Sequence, residues 1–346
     1  MSKGAYFANQ WGLAIKEAAR EDDYLHRDQW PDHPHPNMCE TQFFGFSIPE
    51  ENIHSINYFR QHPNMGHLIC GVSAWQGIKR HQAGAELIDF RLFNTDAPLA
   101  NDLNSVSFEN GYKTEVIEPM KRHRITYRDD YRQNSFDIEY TAVAPAVSLV
   151  YSGHFEQTMR TQGEVVLRGK RFDVDGFNIR NRTWLEARDE AWVSVPATAW
   201  MACVIDENLS FCVNAIDHPD LDPFWKPYFD VPEDRLLLGG WLYRDGEVCG
   251  IKSIRKITHY DEEWLYPTSF AFTMYDDRDR RYDVKGKITA IMPYPMYMNL
   301  DALMCLSDIE CNGRKGQCDF QDLRWTDLRY AYERGDASRK FQMAGK

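Results

Sequence analysis

Residues 172–188 read FDVDGFNIRNRTWLEAR, and this stretch carries the most information about the fold. It places acids, amides, three arginines and Trp184 around a predicted turn at Gly176. A solvated loop seldom contains a tryptophan, and a buried strand seldom tolerates arginines that have no partner. The pattern therefore indicates that polar groups are held in place here, in a partly apolar setting.

On both sides of this stretch the chain reads as short strands separated by turn residues. Strand signals recur roughly every 10–15 residues, with no helical run between them. This spacing favours antiparallel barrels or sandwiches over βαβ units, so we predict an all-β protein. The predicted strands lie at residues 40–48, 66–75, 122–127, 135–142, 148–151, 192–196, 199–205, 209–215, 235–243, 247–259, 269–275 and 282–292.

The N-terminal part has a different pattern. Apolar residues recur at three-to-four spacing over residues 5–22, which predicts a short amphipathic helix covering one end of a sheet or barrel. Three prolines within residues 31–36 break any helix and predict an extended linker. A chain of 346 residues suggests about two domains, and the simplest division into two all-β units falls near residues 160–172.

Composition excludes several classes of function. A net charge of −12 disfavours binding to nucleic acid or to an anionic membrane surface. The N-terminus lacks the pattern of a signal peptide, and no apolar run is long enough to span a membrane. Eight scattered cysteines indicate reduced thiols rather than a disulfide framework. We therefore expect a cytoplasmic protein, and the sequence leaves a homodimer open.

Motifs that hold cofactors are missing from the sequence. It contains no glycine-rich phosphate loop, no nucleophile elbow and no His-Glu-x-x-His pair. Its histidines, cysteines and carboxylates show no metal-ligand spacing. We therefore predict no cofactor and no metal, and we expect any catalysis to use side-chain acids and bases.

Three segments together resemble a known group of proteins. They are His154-Phe155-Glu156-Gln157, the segment from Arg180 through Trp184 to Arg188, and the stretch from Asn37 to Phe44. The chain resembles AttH-like and carotenoid 1,2-hydratase-like proteins, as a divergent member. Two positions depart from the motif of that group, since Asn181 replaces an acid and Leu185 replaces a glycine. Because an amide cannot donate a proton as an acid does, the proton donor of the carotenoid hydratases is not carried over to Asn181.

The resemblance implies two lipocalin-like antiparallel β-barrels in tandem, preceded by the short N-terminal helix. The implied division is residues 1–34 for the helix and the Pro-rich linker, 35–170 for the first barrel, 171–335 for the second barrel and 336–346 for a tail. A barrel of about eight strands can hold one small apolar ligand.

Three residues are the candidates for catalysis. Glu40 opens a Phe-rich strand, and burial there would raise the pKa of its carboxyl group into a range useful for acid–base work. His154 could shuttle protons near neutral pH, and alternation puts it on the same strand face as Glu156. Arg182 could stabilise developing negative charge. For each of them a structural role remains open: an arginine-paired glutamate, a hydrogen-bonded histidine and an arginine in an ion pair.

Other residues are candidates for substrate binding. Trp184, Glu156 and Asn181 lie beside the catalytic candidates in the sequence, and Trp184 could equally be a core residue. Tyr294 and Tyr297 lie in the Met-rich segment 292–298, which could adapt to an irregular ligand or pack one end of a barrel.

The aromatic content of 14% suits a pocket for a hydrophobic small molecule, such as a terpenoid, steroid-like or aromatic compound. We expect a cofactor-independent lyase of the hydratase or dehydratase type, or an isomerase. The alternative is a non-catalytic carrier of an apolar ligand. Ionisable side chains clustered on one wall would favour the enzyme, and a purely apolar lining would favour the carrier.

Overall fold

A computed structural model gives the fold of the chain. It describes residues 15–32, 35, 37–94, 99–149, 153–187, 196–221, 225, 231–297 and 300–325. The chain divides into two compact units. The first unit takes in the described residues between 16 and 188, and the second takes in those between 189 and 346.

The first unit is built from antiparallel strands joined by tight turns. The strands are β1 Ile15–Glu17, β2 Met38–Phe44, β3 Ser47–Ile48, β4 Ile53–His62, β5 His67–Gln76, β6 Leu87–Asn94, β7 Ser105–Ser107, β8 Lys113–Glu118, β9 Arg122–Asp129, β10 Asn134–Ala142, β11 Val147–Leu149, β12 Gly153–Leu167 and β13 Lys170–Ala187. Short 3-10 helices lie at Arg20–Asp23, Arg27–Gln29, Pro49–Glu51, Pro63–Met65 and Gln82–Gly84.

These strands form one sheet that curls around a single core. Its main path runs β6-β5-β4-β2-β13-β12-β10-β9-β8-β7. The two ends of the path meet through side chains, since the rings of Phe93 and Phe108 are 5.5 Å apart and Asn110 donates a hydrogen bond to the carbonyl of Asp89 at 3.2 Å. Apolar side chains from both ends, such as Leu87 and Val106, belong to the same buried cluster.

The second unit is a closed antiparallel barrel in which consecutive strands pair. The strands are β14 Thr198–Asp206, β15 Leu209–Ile216, β16 Leu237–Arg244, β17 Glu247–Tyr260, β18 Pro267–Asp276, β19 Arg281–Tyr297, β20 Leu300–Cys311 and β21 Arg314–Trp325, with a 3-10 helix at Glu233–Arg235. An apolar cluster that includes Phe211, Phe272 and Phe320 fills the barrel. The prediction of an all-β fold with two units is therefore confirmed.

Turn chemistry explains two of the hairpins in this barrel. Strands β14 and β15 meet at the turn after Asp206, and β16 and β17 meet across Asp245 and Gly246. Both Asp245 (φ 50°) and Gly246 (φ 89°) are left-handed, as a two-residue hairpin turn that follows the strand twist requires.

Two local predictions were wrong. The described part of the predicted helix, from residue 15 onward, is the strand β1 followed by a four-residue 3-10 helix, while residues 5–14 lie outside the described part. Gly176 is not a turn, because it lies inside the 18-residue strand β13 and pairs with Thr161. The actual turn lies at Arg168 and Gly169, both of which have positive φ.

The boundary between the units also differs from the division at residue 170. Strand β13 pairs with β12 on one side and with β2 on the other, which places residues 170–187 in the first unit. The sequence does not show this, because both units have the same strand pattern. The predicted strand at 192–196 and the tail at 336–346 lie outside the described residues, apart from Pro196.

Candidate functional site

Three neighbouring strands of the first unit, β2, β13 and β12, carry most of the predicted site residues. In the register of β12 and β13, His154 faces Thr183, Glu156 faces Asn181, and Gln157 faces Arg180. Because side chains alternate along a strand, odd and even positions lie on opposite faces of the sheet. Two polar groups result, one on each face.

The inward group is centred on an ion pair between Glu40 and Arg182. Arg182 Nη2 donates a hydrogen bond to Glu40 Oε2 at 3.0 Å, and both side chains are fully buried. Glu40 Oε1 also accepts hydrogen bonds from the backbone N–H of His26 at 3.0 Å and from Trp30 Nε1 at 2.8 Å. The carboxylate is thus held by donors on three sides.

A segment that precedes β2 covers this end of the sheet, and we call residues 18–30 the strap. Arg182 Nη1 donates hydrogen bonds to the carbonyls of Asp22 and Tyr24 in the strap. Asp23, also in the strap, accepts hydrogen bonds from Arg180 Nη1 at 2.7 Å and from His123 Nε2 at 2.9 Å. The strap is therefore bound to the sheet largely by buried polar contacts.

The electrostatics of the inward group contradict the pKa expected for Glu40. Burial by itself would raise the pKa of Glu40, but the hydrogen bond from His26 and the charge of Arg182 outweigh it, and the pKa is lowered. For Asp23 too, the charge of Arg180 and the hydrogen bonds from His123 and the Met120 N–H outweigh burial and hold the pKa well below its usual range. Both carboxylates are therefore ionised near neutral pH, which suits them to ion pairing rather than to proton donation.

Trp184 lies on the inward face and packs against the strap. Its ring stacks on the imidazole of His26 with centroids 4.5 Å apart, and it contacts the ring of Phe155 at 6.2 Å. Hydrogen bonds to Asp22 and Glu40 outweigh burial and raise the pKa of His26. Trp184 itself is only 8% exposed. It is therefore a core residue at the junction of strap and sheet.

The opposite face carries His154 and Glu156. His154 Nε2 lies 3.3 Å from Glu156 Oε1, and His154 Nδ1 lies 2.9 Å from Thr183 Oγ1. The side chain of His154 is 19% exposed and that of Glu156 is 8% exposed, whereas those of Glu40 and Arg182 are both 0% exposed. Asn181 is the cross-strand neighbour of Glu156 and is half-buried.

This second arrangement can exchange a proton without losing its contacts. A neutral His154 can donate from Nε2 to Glu156 and accept at Nδ1 from the Thr183 hydroxyl. A protonated His154 can donate from both nitrogens, because a hydroxyl oxygen is also an acceptor. The pair therefore has the chemistry expected of a general acid or base.

The structure separates two residues that the sequence had placed in one site. Glu40 lies on the inward face with Arg182, while His154 lies on the other face with Thr183. Residues 172–188 cannot form one wall facing both, because successive residues of a strand point to opposite sides. Any single reacting centre contacted by His154 is therefore screened from Glu40 by the sheet.

The remaining candidates lie in other parts of the chain. Tyr294 lies in β19 of the second unit, opposite Ala302 on β20. The side chain of Tyr297 and the residue Arg188 lie outside the part of the chain that the structure describes. In that part no group of three potential ligands could hold a metal ion, and no helix is long and apolar enough to cross a membrane. All eight cysteines are free and buried.

The second unit has buried charges of its own. Lys256 forms an ion pair with Asp217 and donates a hydrogen bond to Thr258 Oγ1 at 2.7 Å. Arg324 donates to Asp322 at 2.8 Å and lies over the ring of Tyr260. Burial of the Asp217 carboxyl group outweighs the charge of Lys256 and raises its pKa.

Sequence reasoning missed several residues of these groups. Thr183 could have been found from strand alternation once the pairing of β12 and β13 was known. Asp23, His26 and His123 had no local signal. Asp23, for example, is 157 residues from Arg180 and 100 from His123.

The all-β fold of this chain is also found in solved structures of other proteins. Three similar solved structures share the fold at low identity. An AttH from Nitrosomonas europaea is 10% identical with a TM-score of 0.59, and covers 89% of this chain and 97% of its own. CghA with Sch210972 is 9% identical with a TM-score of 0.55, over 91% and 99%. Kievitone hydratase from Nectria haematococca is 11% identical with a TM-score of 0.52, over 91% and 95%.

The sequence itself matches one family model. The chain belongs to the family described as Domain of unknown function (DUF7064), which matches residues 19–328. No curated protein matches it.

Proposed function

We propose that the chain is a lyase of the hydratase or dehydratase type, acting without a cofactor on a hydrophobic terpenoid, steroid-like or aromatic small molecule. The observation that carries the proposal is the contact between the half-buried His154 and the buried Glu156, whose Nε2 and Oε1 atoms are 3.3 Å apart. An isomerase that removes a proton from one carbon of its substrate and adds a proton at another carbon would use the same pair.

The roles follow from the contacts. His154 and Glu156 together deliver a proton to the substrate or take one from water, and Thr183 fixes the imidazole through Nδ1. Asn181, beside Glu156, is placed to donate a hydrogen bond to a substrate oxygen. The ion pair of Glu40 and Arg182 holds the sheet behind this pair and takes no part in proton transfer.

The fold neighbours support the reaction class. One of them is a kievitone hydratase, and its fold covers 91% of this chain. An identity of 11% carries over the fold and not the substrate, so kievitone is a probe compound for this protein rather than its predicted substrate.

The proposal is tested by incubating the protein in heavy-oxygen water, first with kievitone and then with any hydrophobic compound that native mass spectrometry finds co-purifying. Hydration adds one labelled water to the product, whereas dehydration removes one unlabelled water from the substrate. His154→Ala and Glu156→Gln should lower turnover by about 10²–10⁴-fold, the usual contribution of a positioned acid or base. His259→Ala, at an exposed position of the second unit, is the control.

A different result would favour the carrier. A protein that binds such a compound and returns it unlabelled and unchanged in mass is a carrier or an isomerase, and nuclear magnetic resonance of the recovered compound separates these two. Full turnover in both His154→Ala and Glu156→Gln would remove this pair from the reaction.

A further inference from the structure

The contacts of Asp23 form a complete binding site for a carboxylate group. Arg180 Nη1 donates to Oδ1 at 2.7 Å. His123 Nε2 and the backbone N–H of Met120 donate to Oδ2 at 2.9 and 2.6 Å. Gln157 Oε1 accepts from Arg180 Nε and Nη2 at 2.9 and 2.7 Å and so fixes the guanidinium.

Every donor of this site belongs to the sheet or to its turns, whereas Asp23 belongs to the strap. Arg180 and Gln157 lie on the paired strands β13 and β12, and His123 lies on β9. Met120 has a left-handed backbone (φ 61°) in the turn between β8 and β9. The site is therefore built without the strap, which contributes only the bound carboxylate.

Charge on the inward face makes such an occupant necessary. The strands contribute two buried arginines, Arg180 and Arg182, and Arg182 is already paired with Glu40. Burial and the nearby Arg180 lower the pKa of His123, so this histidine stays neutral and adds no charge. One buried positive charge would lack a partner without an anion at the position of Asp23, and such an uncompensated charge is strongly destabilising.

The strap holds its carboxylate in place without being a strand of the sheet at this point. Asp23 ends a four-residue 3-10 helix, and its neighbours Asp22 and Tyr24 are fixed by hydrogen bonds from Arg182 to their carbonyls. Leu25 adds an apolar anchor in the core.

We propose that Arg180, His123 and the Met120 N–H form a binding site for a small organic carboxylate, and that Asp23 of the strap fills this site as an internal ligand. The strap is then a built-in competitor for such an acid. The carboxylate would place its apolar remainder against aromatic rings, because the Arg180 guanidinium lies 4.9 Å from the Phe155 ring and His123 lies 5.7 Å from the Phe44 ring. This site is separate from His154 and Glu156, and its test does not depend on the proposed function.

The test removes the internal carboxylate and supplies a free one. Asp23→Gly should lower the apparent Tm of the full chain by on the order of 10 °C, since it leaves a buried arginine without its partner. Sodium formate or sodium acetate, at about 100 times its dissociation constant, should restore about 5–10 °C of this loss. Sodium chloride at equal ionic strength should not restore the lost Tm, and neither should neutral acetamide.

Three control proteins keep the result interpretable. The wild-type protein and Asp28→Gly, which removes an exposed carboxylate from the same strap, should show no specific response to formate or acetate. Asp23→Asn keeps the site filled by a neutral group, so it should lose stability and gain nothing from either acid. Equal responses of Asp23→Gly and Asp28→Gly to acetate would overturn the proposal.

Failure of Asp23→Gly to fold also gives an answer. The denatured variant is then refolded in acetate and, separately, in chloride at the same ionic strength. Recovery of soluble, folded protein in acetate alone supports the site, and equal or absent recovery in both overturns it.

Discussion

The two faces of strands β12 and β13 carry polar groups of opposite character. On the inward face Glu40 and Arg182 are fully buried, and the Glu40 carboxylate accepts hydrogen bonds from Arg182, His26 and Trp30. On the other face the side chain of His154 remains partly exposed, and it contacts the buried Glu156 at a longer distance of 3.3 Å. The same two strands therefore support one group fixed in its charge state and one that can change it.

This difference shows that burial alone does not make a carboxyl group a catalytic acid. Desolvation raises the pKa of a buried carboxyl group, but a charged partner and several donors reverse the effect. At Glu40 the partners prevail, and the pKa falls. The group suited to proton transfer is the one that keeps access to solvent and a contact with a second ionisable side chain.

The largest expected effect comes from breaking the inward ion pair. Arg182→Ala leaves the Glu40 carboxylate buried without its charged partner and removes the hydrogen bonds to the Asp22 and Tyr24 carbonyls. We expect a loss of about 3–5 kcal/mol in the free energy of unfolding, measured by urea denaturation. An unchanged midpoint and slope would show that this pair does not stabilise the first unit.

Glu40→Gln sharpens the comparison through pH. The pKa of Glu40 is lower in the folded chain than its ordinary value of 4.5, so its contribution to stability is present above that value and is lost as the pH falls through the folded pKa. The variant should be less stable by about 1–3 kcal/mol at neutral pH. Its stability should also fall less steeply than that of the wild type as the pH drops below 4.5. Parallel pH curves for the two proteins would contradict the lowered pKa.

A smaller effect is expected from Thr183→Val on the opposite face. The change removes the hydroxyl 2.9 Å from His154 Nδ1 with little change in volume. Loss of orientation of the imidazole should lower kcat by about tenfold, or about 1.4 kcal/mol in the activation free energy, while KM changes little. Thr183→Ser, which keeps the hydroxyl, should recover most of the rate. Equal losses in both variants would point to packing rather than to the hydrogen bond.

The smallest effect is expected for an exposed ion pair on the same two strands. Arg160 and Asp175 pair across β12 and β13, and both side chains are at least 38% exposed. Arg160→Ala should change the free energy of unfolding by less than about 1 kcal/mol. A loss comparable to that of Arg182→Ala would mean that burial does not separate the two pairs.

Local patterns in the sequence predicted the features that depend on neighbours along the chain. Alternation located most of the strands that were predicted within the described residues. The spacing of His154 and Glu156 placed them on one face, where the structure shows them in contact.

Features that depend on distant partners could not be predicted in the same way. The charge state of Glu40 is set by Arg182, 142 residues away, and by a hydrogen bond from His26 in the strap. A glycine between polar residues suggested a turn within residues 172–188. Gly176 is instead part of a long strand. The spacing of apolar residues near the N-terminus predicted a helix, but the described part of that segment forms part of the strap. Buried polar groups of the sheet require partners there.

The most direct test measures turnover and stability together in His154→Ala and Glu40→Gln, using the heavy-oxygen water assay and urea unfolding. We predict that His154→Ala lowers turnover by about 10²-fold or more and leaves the free energy of unfolding within about 1 kcal/mol of the wild type. Glu40→Gln should show the opposite pattern. Its free energy of unfolding should fall, while the turnover of its folded fraction should stay within a few-fold of the wild type. A folded Glu40→Gln protein with turnover lowered about 10²-fold, beside a fully active His154→Ala protein, would contradict the separation of the two faces.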